Sequence, residues 1–305
     1  MQQSNFVKNK QDIINVCDNF IFPTIEDQWE LVHRKLAVAK HKDGKVLFKY
    51  HRSVMYDYAW NKSKHLMECR GHVYDETTGD LLVAPPRKSF NYLENDWWKD
   101  IDLDTEVLYN RKYNGFLACV DNKGKVSTTG SLESEYSKMA EYNLAGFSAP
   151  NSWTMHCEIM HKNDPHIVAE KEGFQLLCQR GNFSGLQVPA NLRKNTLQHL
   201  LDLANVSFAE GFMVYHPDDY MFISPAKIKT PYYVGKKKLM RATEKTIDKM
   251  YANPVEYAKS LPMLWDKYPE FICKENSSFY WKAQHEQDRR KFIEAYQAQY
   301  LNFDY

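Results

Sequence analysis

The 305 residues carry 40 Lys+Arg against 39 Asp+Glu, a formal net charge of +1, which excludes a uniformly basic nucleic-acid coat and leaves room only for a local basic groove. With 43% hydrophobic residues the chain can bury a substantial core and hold one large domain plus a smaller one. No run approaches the roughly 18 apolar residues of a membrane span and no apolar leader opens the chain. The cysteines at 17, 69, 119, 157, 178 and 273 form no Cys-x-x-Cys pair, so reduced thiols in a cytoplasmic protein are expected; the chain implies no membrane and no protein partner.

In chain order, residues 1–240 read mostly as short strands broken by turns at Asp43-Gly44, Thr78-Gly79 and Lys123-Gly124. Glu68-Cys69-Arg70-Gly71 precedes a strand-turn-strand over 72–83, and Pro86-Arg87-Lys88-Ser89-Phe90-Asn91 follows it. Lys112-Tyr113-Asn114-Gly115 then opens a strand at Phe116–Val120. A lysine that has lost its proton attacks phosphorus to give a phosphoamide, and a nearby glycine lets the backbone crowd a nucleotide. A helix is expected at about 133–144. Residues 153–159 alternate as a strand that sets Glu158 among apolar neighbours, where its carboxylate needs a partner; a ribose hydroxyl or a hard divalent cation would serve. A second helix is expected over 192–206, with Leu197, Leu200, Leu201 and Ala204 at helical spacing.

Glu210 heads a strand running to Tyr215 and would be the second metal-side carboxylate, followed by the turn Pro217-Asp218-Asp219. In Ala226-Lys227-Ile228-Lys229-Thr230, alternation puts both lysines on one face, where two ammonium groups suit phosphate oxygens. Lys236-Lys237-Lys238 with Arg241 is the candidate basic groove. From about 240 the pattern turns long, polar and periodic, with helices expected over 243–261 and 277–301. His156, His161 and His166 have no zinc spacing and read as ordinary polar or partly buried residues.

Lysine, acid, acid and paired lysines, in that order, resemble the lysine nucleotidyl transferases: ATP-dependent DNA ligases, RNA ligases and mRNA capping enzymes. Within them, Arg70-Gly71, the Lys88-Ser89-Phe90-Asn91 cluster and Lys227-Ile228-Lys229-Thr230-Pro231-Tyr232-Tyr233 most resemble the single-strand RNA ligases of the T-even bacteriophage type, over about 45–235. The resemblance implies an α+β fold. An antiparallel-sheet nucleotidyltransferase domain of ATP-grasp-like ligase type would occupy 1–240, and a small helical subdomain 241–305. It implies an enzyme that forms a phosphoric-ester bond, joining a 3′-hydroxyl to a 5′-phosphate in broken RNA, tRNA included. ATP and Mg²⁺ would be required, with Mn²⁺ as the substitute.

Carried over residue by residue, Lys112 would be the adenylylated nucleophile. Arg70 and Lys88 would hold phosphates, and Asn114 and Gly115 would contact the nucleotide. Glu158 would take ribose or metal, Phe174 would lie on the adenine-pocket strand, Glu210 would take metal, and Lys227 with Lys229 the α-phosphate. Two positions depart from the pattern: asparagine stands at 114 for aspartate, and Ser89 for an aromatic. The alternatives are a DNA ligase, a capping-type guanylyltransferase, or a non-catalytic protein that binds nucleic-acid ends, whether RNA or DNA.

Overall fold

The structure is a computed structural model that describes residues 22–94, 98, 101–164, 166–218 and 224–301. Cys17 and Asp219 lie outside them. The chain divides into two compact units. The first takes the described residues of Met1–Pro165 with Glu170–Leu200 and Phe212–Ile228; the second takes His166–Ala169, Leu201–Gly211 and the chain from Lys229 onward.

In the first half of the chain the strands are β1 (Ala37–Lys42), β2 (Lys45–Tyr50), β3 (Arg70–Asp75), β4 (Leu81–Val83), β5 (Phe90–Asn91), β6 (Glu106–Lys112), β7 (Phe116–Val120) and β8 (Val126–Thr128). Then follow β9 (Trp153–Met160), β10 (Gly173–Gly181), β11 (Gln187–Pro189), β12 (Arg193–Thr196), β13 (Gly211–Tyr215) and β14 (Ala226–Lys229). They form a four-stranded sheet in the order β1-β2-β3-β4 and two five-stranded sheets, β11-β10-β9-β7-β8 and β12-β6-β13-β14-β5. Where the register is defined the pairing is antiparallel, except that β14 runs parallel to β5, with Lys227 opposite Asn91.

Strand alternation decides what each sheet buries. On β9, Met155, Cys157 and Ile159 join Ala118 and Val120 of β7 and Ala140 of the helix Glu135–Asn143 in one apolar cluster. The residues between them, Thr154, His156 and Glu158, face the other way. On that other side Cys119 packs with Leu47, Val73 and Val83, so the β1–β4 sheet lies over this face of the β7–β11 sheet. Thr154 Oγ1 accepts the Ala84 N–H at 2.9 Å and His156 Nε2 lies 2.9 Å from the Ala84 carbonyl, which ties the two sheets by polar contacts. Burial drives the His156 pKa down to about 3, so the ring is a neutral structural residue.

Two expectations change. Arg193–Thr196 is not helical but pairs antiparallel with β6, and the helix begins only at Leu197; the polar run lacks the alternation that would have marked it, and the partner strand makes it a strand. The long helices expected late in the chain are each broken in two, the first at Asn253-Pro254, where Asn253 caps the helix Pro254–Ala258. The second unit is helical around a core that includes Trp265, Tyr268, Trp281 and Tyr296. No helix among the described residues is long and apolar enough to cross a membrane.

Candidate functional site

Lys112 is the last residue of β6 and is half-buried, with its Nζ 3.5 Å from the Tyr113 carbonyl. Two residues on, Asn114 is buried at 3% exposure. A carboxylate there would lose its hydration, so the asparagine is the neutral group that such a position accepts at low cost. Gly115 is fixed by its neighbours: its N–H donates to Glu158 Oε1 at 3.0 Å, and a Cβ there would stand 2.1 Å from the Ile159 carbonyl oxygen. The glycine three residues after the lysine is therefore required by close approach to β9, not only by room for a ligand. This contact joins Lys112-Tyr113-Asn114-Gly115 to Glu158, which sequence spacing could not do.

Phe174 is not brought to that face. It pairs with Ile159, its ring meets Phe147 edge-on at 5.1 Å, and it packs in the apolar cluster with Ile159 and Phe116. Its β10 neighbour Gln175 is the residue opposite Glu158. Alternation shows the period of a strand but not which face is inward, and this sheet has a covered face on each side.

Arg70 opens β3 and donates to the carbonyls of Pro86 and Arg87 at 3.2 and 3.4 Å, so it is tied to the segment that carries Lys88. Lys88 Nζ sits 4.2 Å from the Phe90 ring centroid and 5.4 Å from that of Trp60, and the two rings meet at right angles. Trp60 supplies, from a distant turn, an aromatic surface that Ser89 does not. Beneath this segment lies a buried ionic knot. Glu68 is 2.7 Å from Arg180 Nη1 and 3.1 Å from Arg87 Nε, and all three side chains are nearly sealed from solvent. Burial opposes charge on Glu68, but Arg180 and then Arg87 outweigh it and hold the carboxyl at about 2. Arg180 also donates to the Pro85 carbonyl at 2.6 Å, fixing the turn before Lys88.

Lys227 and Lys229 alternate with the buried Ala226 and Ile228 on β14, both half-buried on one side, and Tyr92 N–H donates to the Lys227 carbonyl at 2.8 Å. Glu210 is buried at 4% exposure, and its carbonyl accepts the Thr230 N–H at 3.1 Å. Thr230 caps the helix Pro231–Met240, with proline in its first turn. That helix removes the expected basic groove. Lys236 is 3% exposed and reaches Tyr232 and Gln297, and burial, with Arg290 adding to it, lowers its pKa to about 8. Lys238 bonds the Ser260 carbonyl at 2.7 Å and Arg241 bonds Glu286 at 3.0 Å. Lys236, Lys238 and Arg241 thus each meet groups of the second unit rather than lining a shared groove.

Among the described residues no group of three or more His, Cys, Asp and Glu side chains could hold a metal ion. Mg²⁺ does not need such a group, because it keeps waters and takes one or two carboxylates with substrate phosphates. Glu158, with one oxygen already fixed by Gly115, suits that manner of binding. A cavity of about 380 Å³ opens among Lys42, Lys45, Val83, Asp121, Lys125 and Glu133, and none of the candidate residues lines it.

Neither a protein-family model nor a curated protein sequence matches the chain. Solved structures do. An archaeal ATP-dependent RNA ligase, in its form 1, superposes with a TM-score of 0.50 at 10% identity over 96% of this chain and 80% of that one. The chain has that fold. Form 2 of the archaeal RNA ligase gives 0.48 at 10% identity over the same shares, and a protein assigned as an ATP-dependent DNA ligase in Aquifex aeolicus gives 0.46 at 13% over 90% and 80%.

Sequence reasoning missed Trp60, Arg87 and Arg180 as supports of Lys88, and Lys49 as a neighbour of Arg70. Trp60, Arg180 and Lys49 come from separate segments that no spacing rule links, and the adjacent Arg87 shows its role only through its contact with Glu68.

Proposed function

We propose that the chain is an ATP-dependent polynucleotide ligase, acting foremost on RNA, that joins a 3′-hydroxyl to a 5′-phosphate through a lysyl-AMP intermediate on Lys112. The observation that carries this reading is the hydrogen bond from Gly115 N–H to Glu158, which unites the lysine motif with the first acidic motif in a fold shared with an RNA ligase.

In the first step neutral Lys112 Nζ attacks the α-phosphorus of ATP; the nitrogen–phosphorus bond forms, the α–β bridging bond breaks and pyrophosphate leaves. A 5′-phosphate oxygen then attacks the same phosphorus, breaks the nitrogen–phosphorus bond and returns the lysine. Finally the 3′-hydroxyl oxygen attacks the activated 5′-phosphorus, its proton is lost and AMP departs. Positioning and charge neutralisation dominate such displacements, which is why lysines, arginine and carboxylates suffice without a histidine base. Arg70 and Lys88 are the phosphate-holding candidates of the first unit, with Asn114 beside the nucleotide and Lys227 for the α-phosphate. In the second unit Lys229 is the corresponding candidate. Bound Mg²⁺ would lower the charge on the phosphates; Glu158 is the first unit's carboxylate proposed to hold it or its waters, and Glu210 is the second unit's candidate for that role. The resemblance to the T-even phage ligases extends the proposal to repair of broken RNA, tRNA included, and to phage origin.

The test is incubation with α-labelled ATP, and separately GTP, with Mg²⁺, followed by denaturation. Label from ATP should stay with the polypeptide and fall at least about 1,000-fold in Lys112→Ala. Label from GTP alone would replace the reading with a capping activity, and no label from either would replace it with end binding.

A further inference from the structure

The inward face of β2 changes character along its length. Leu47 lies in the apolar layer between the sheets, but two residues on, Lys49 occupies the same face. Its cross-strand partners are Val38 and Arg70, and Lys40 is its diagonal neighbour on β1. Lys40 Nζ donates to the Gly130 carbonyl at 2.5 Å, and a Cβ on Gly130 would stand 3.4 Å from Lys49 Nζ, so both ammonium groups gather at the loop 128–131.

That loop is held against β3 by Gly71, at φ +104, where a Cβ would meet Thr129 Cα at 2.6 Å. Because Thr128 pairs with Ala118, the loop leaves the sheet at the end of β7 that begins with Gly115 and Phe116. The cluster therefore stands at the Gly115 end of the first unit. Burial lowers the Lys49 pKa, and Lys40, Arg70 and Arg52 add to the effect. Among the described residues none of these four cations is ion-paired with a carboxylate, and the Arg70 guanidinium bonds only carbonyls. Like charges directly opposite each other weaken a sheet, and a half-buried ammonium without a counter-charge is costly. An anion resolves both.

We propose that Lys49, with Lys40 and Arg70, forms a phosphate site at the Gly115 end of the first unit, filled either by the polyphosphate of the nucleotide or by the 5′-phosphate of the strand. Only the identity of the phosphate donor rests on the ligase reading.

The test uses the full chain, with Lys49→Met to remove the charge and Lys49→Arg to keep it. Inorganic pyrophosphate is titrated by calorimetry, and a 5′-phosphorylated RNA and its 5′-hydroxyl counterpart by fluorescence anisotropy. Loss of one charged hydrogen-bond donor predicts roughly 10-fold weaker binding in Lys49→Met, with the 5′-hydroxyl RNA unaffected and Lys49→Arg close to the parent. Weakened pyrophosphate binding assigns the site to the nucleotide, and weakened binding of the phosphorylated RNA alone assigns it to the strand. Unchanged affinity for both in a folded Lys49→Met, or no binding of either by the parent, overturns the proposal. Pyrophosphate binding that depends on Lys49 in a protein that takes no label from ATP would sink the ligase reading and leave the phosphate site standing.

Discussion

Two charged groups in the first unit contrast sharply. In the knot of Glu68, Arg87 and Arg180 one carboxylate meets two guanidiniums, and Arg180 Nη1, Arg180 Nε and Arg87 Nη2 reach the carbonyls of Pro85 and Gly185. The cluster of Lys40, Lys49, Arg52 and Arg70 has cations alone. The knot holds the backbone before Lys88 in place, whereas the cluster is complete only with something from outside. The contrast separates a buried charge that serves the fold from one that serves a ligand: the first meets a counter-charge within its own chain.

The largest expected effect comes from breaking the knot. Glu68→Gln keeps the shape but leaves two buried guanidiniums without their carboxylate, and should cost about 3–5 kcal/mol in unfolding free energy. Urea melts with an unchanged m-value measure it; a loss below about 1 kcal/mol would show that water already screens the pair. The same knot sets a pH dependence. Glu68 titrates at about 2 when folded against an ordinary 4.5, so the unfolded chain takes up the proton first as pH falls. Its stabilisation is present in full above about pH 4.5 and is lost between there and about pH 2. Acid melts should therefore show a parent advantage over Glu68→Gln that shrinks across this window; a constant difference down to pH 2 would contradict the charge assignment.

How much of this was legible in the sequence follows from the range of each interaction. β9 and β14 are short alternating runs and Phe116–Val120 is a short apolar run, each against a core, and these local signals survived folding. The order of Lys112, Glu158, Glu210 and Lys227 was legible for the same reason, since each sits on or beside such a run. The face of Phe174 was not, because a sheet covered on both sides buries both phases of the alternation. Lys236-Lys237-Lys238 misled because a run of like charges suggests solvent, while Thr230 and Pro231 had already set a helix whose inward face takes Lys236 into contact with Tyr232 and Gln297. The knot and the cluster were invisible, since the knot joins segments carried by different sheets and the cluster joins strands that meet only through pairing.

The smallest expected effect is the sharpest test of the contrast. If Lys49 serves a ligand, removing it without ligand should relieve the repulsion with Arg70 across β2 and β3, and Lys49→Met should be more stable than the parent by about 0.2–1 kcal/mol. Addition of pyrophosphate should then reverse the order, since a ligand at 100 times its Kd stabilises the parent by about 2.7 kcal/mol, against about 1.4 kcal/mol for a variant that binds it roughly 10-fold more weakly. A Lys49→Met that is less stable than the parent with no ligand present would place Lys49 with Arg87 and Arg180, as a charge the fold itself needs. The sign of the difference in ligand-free buffer, more than its size, thus decides whether the open end of the sheet pair belongs to the fold or to its substrate.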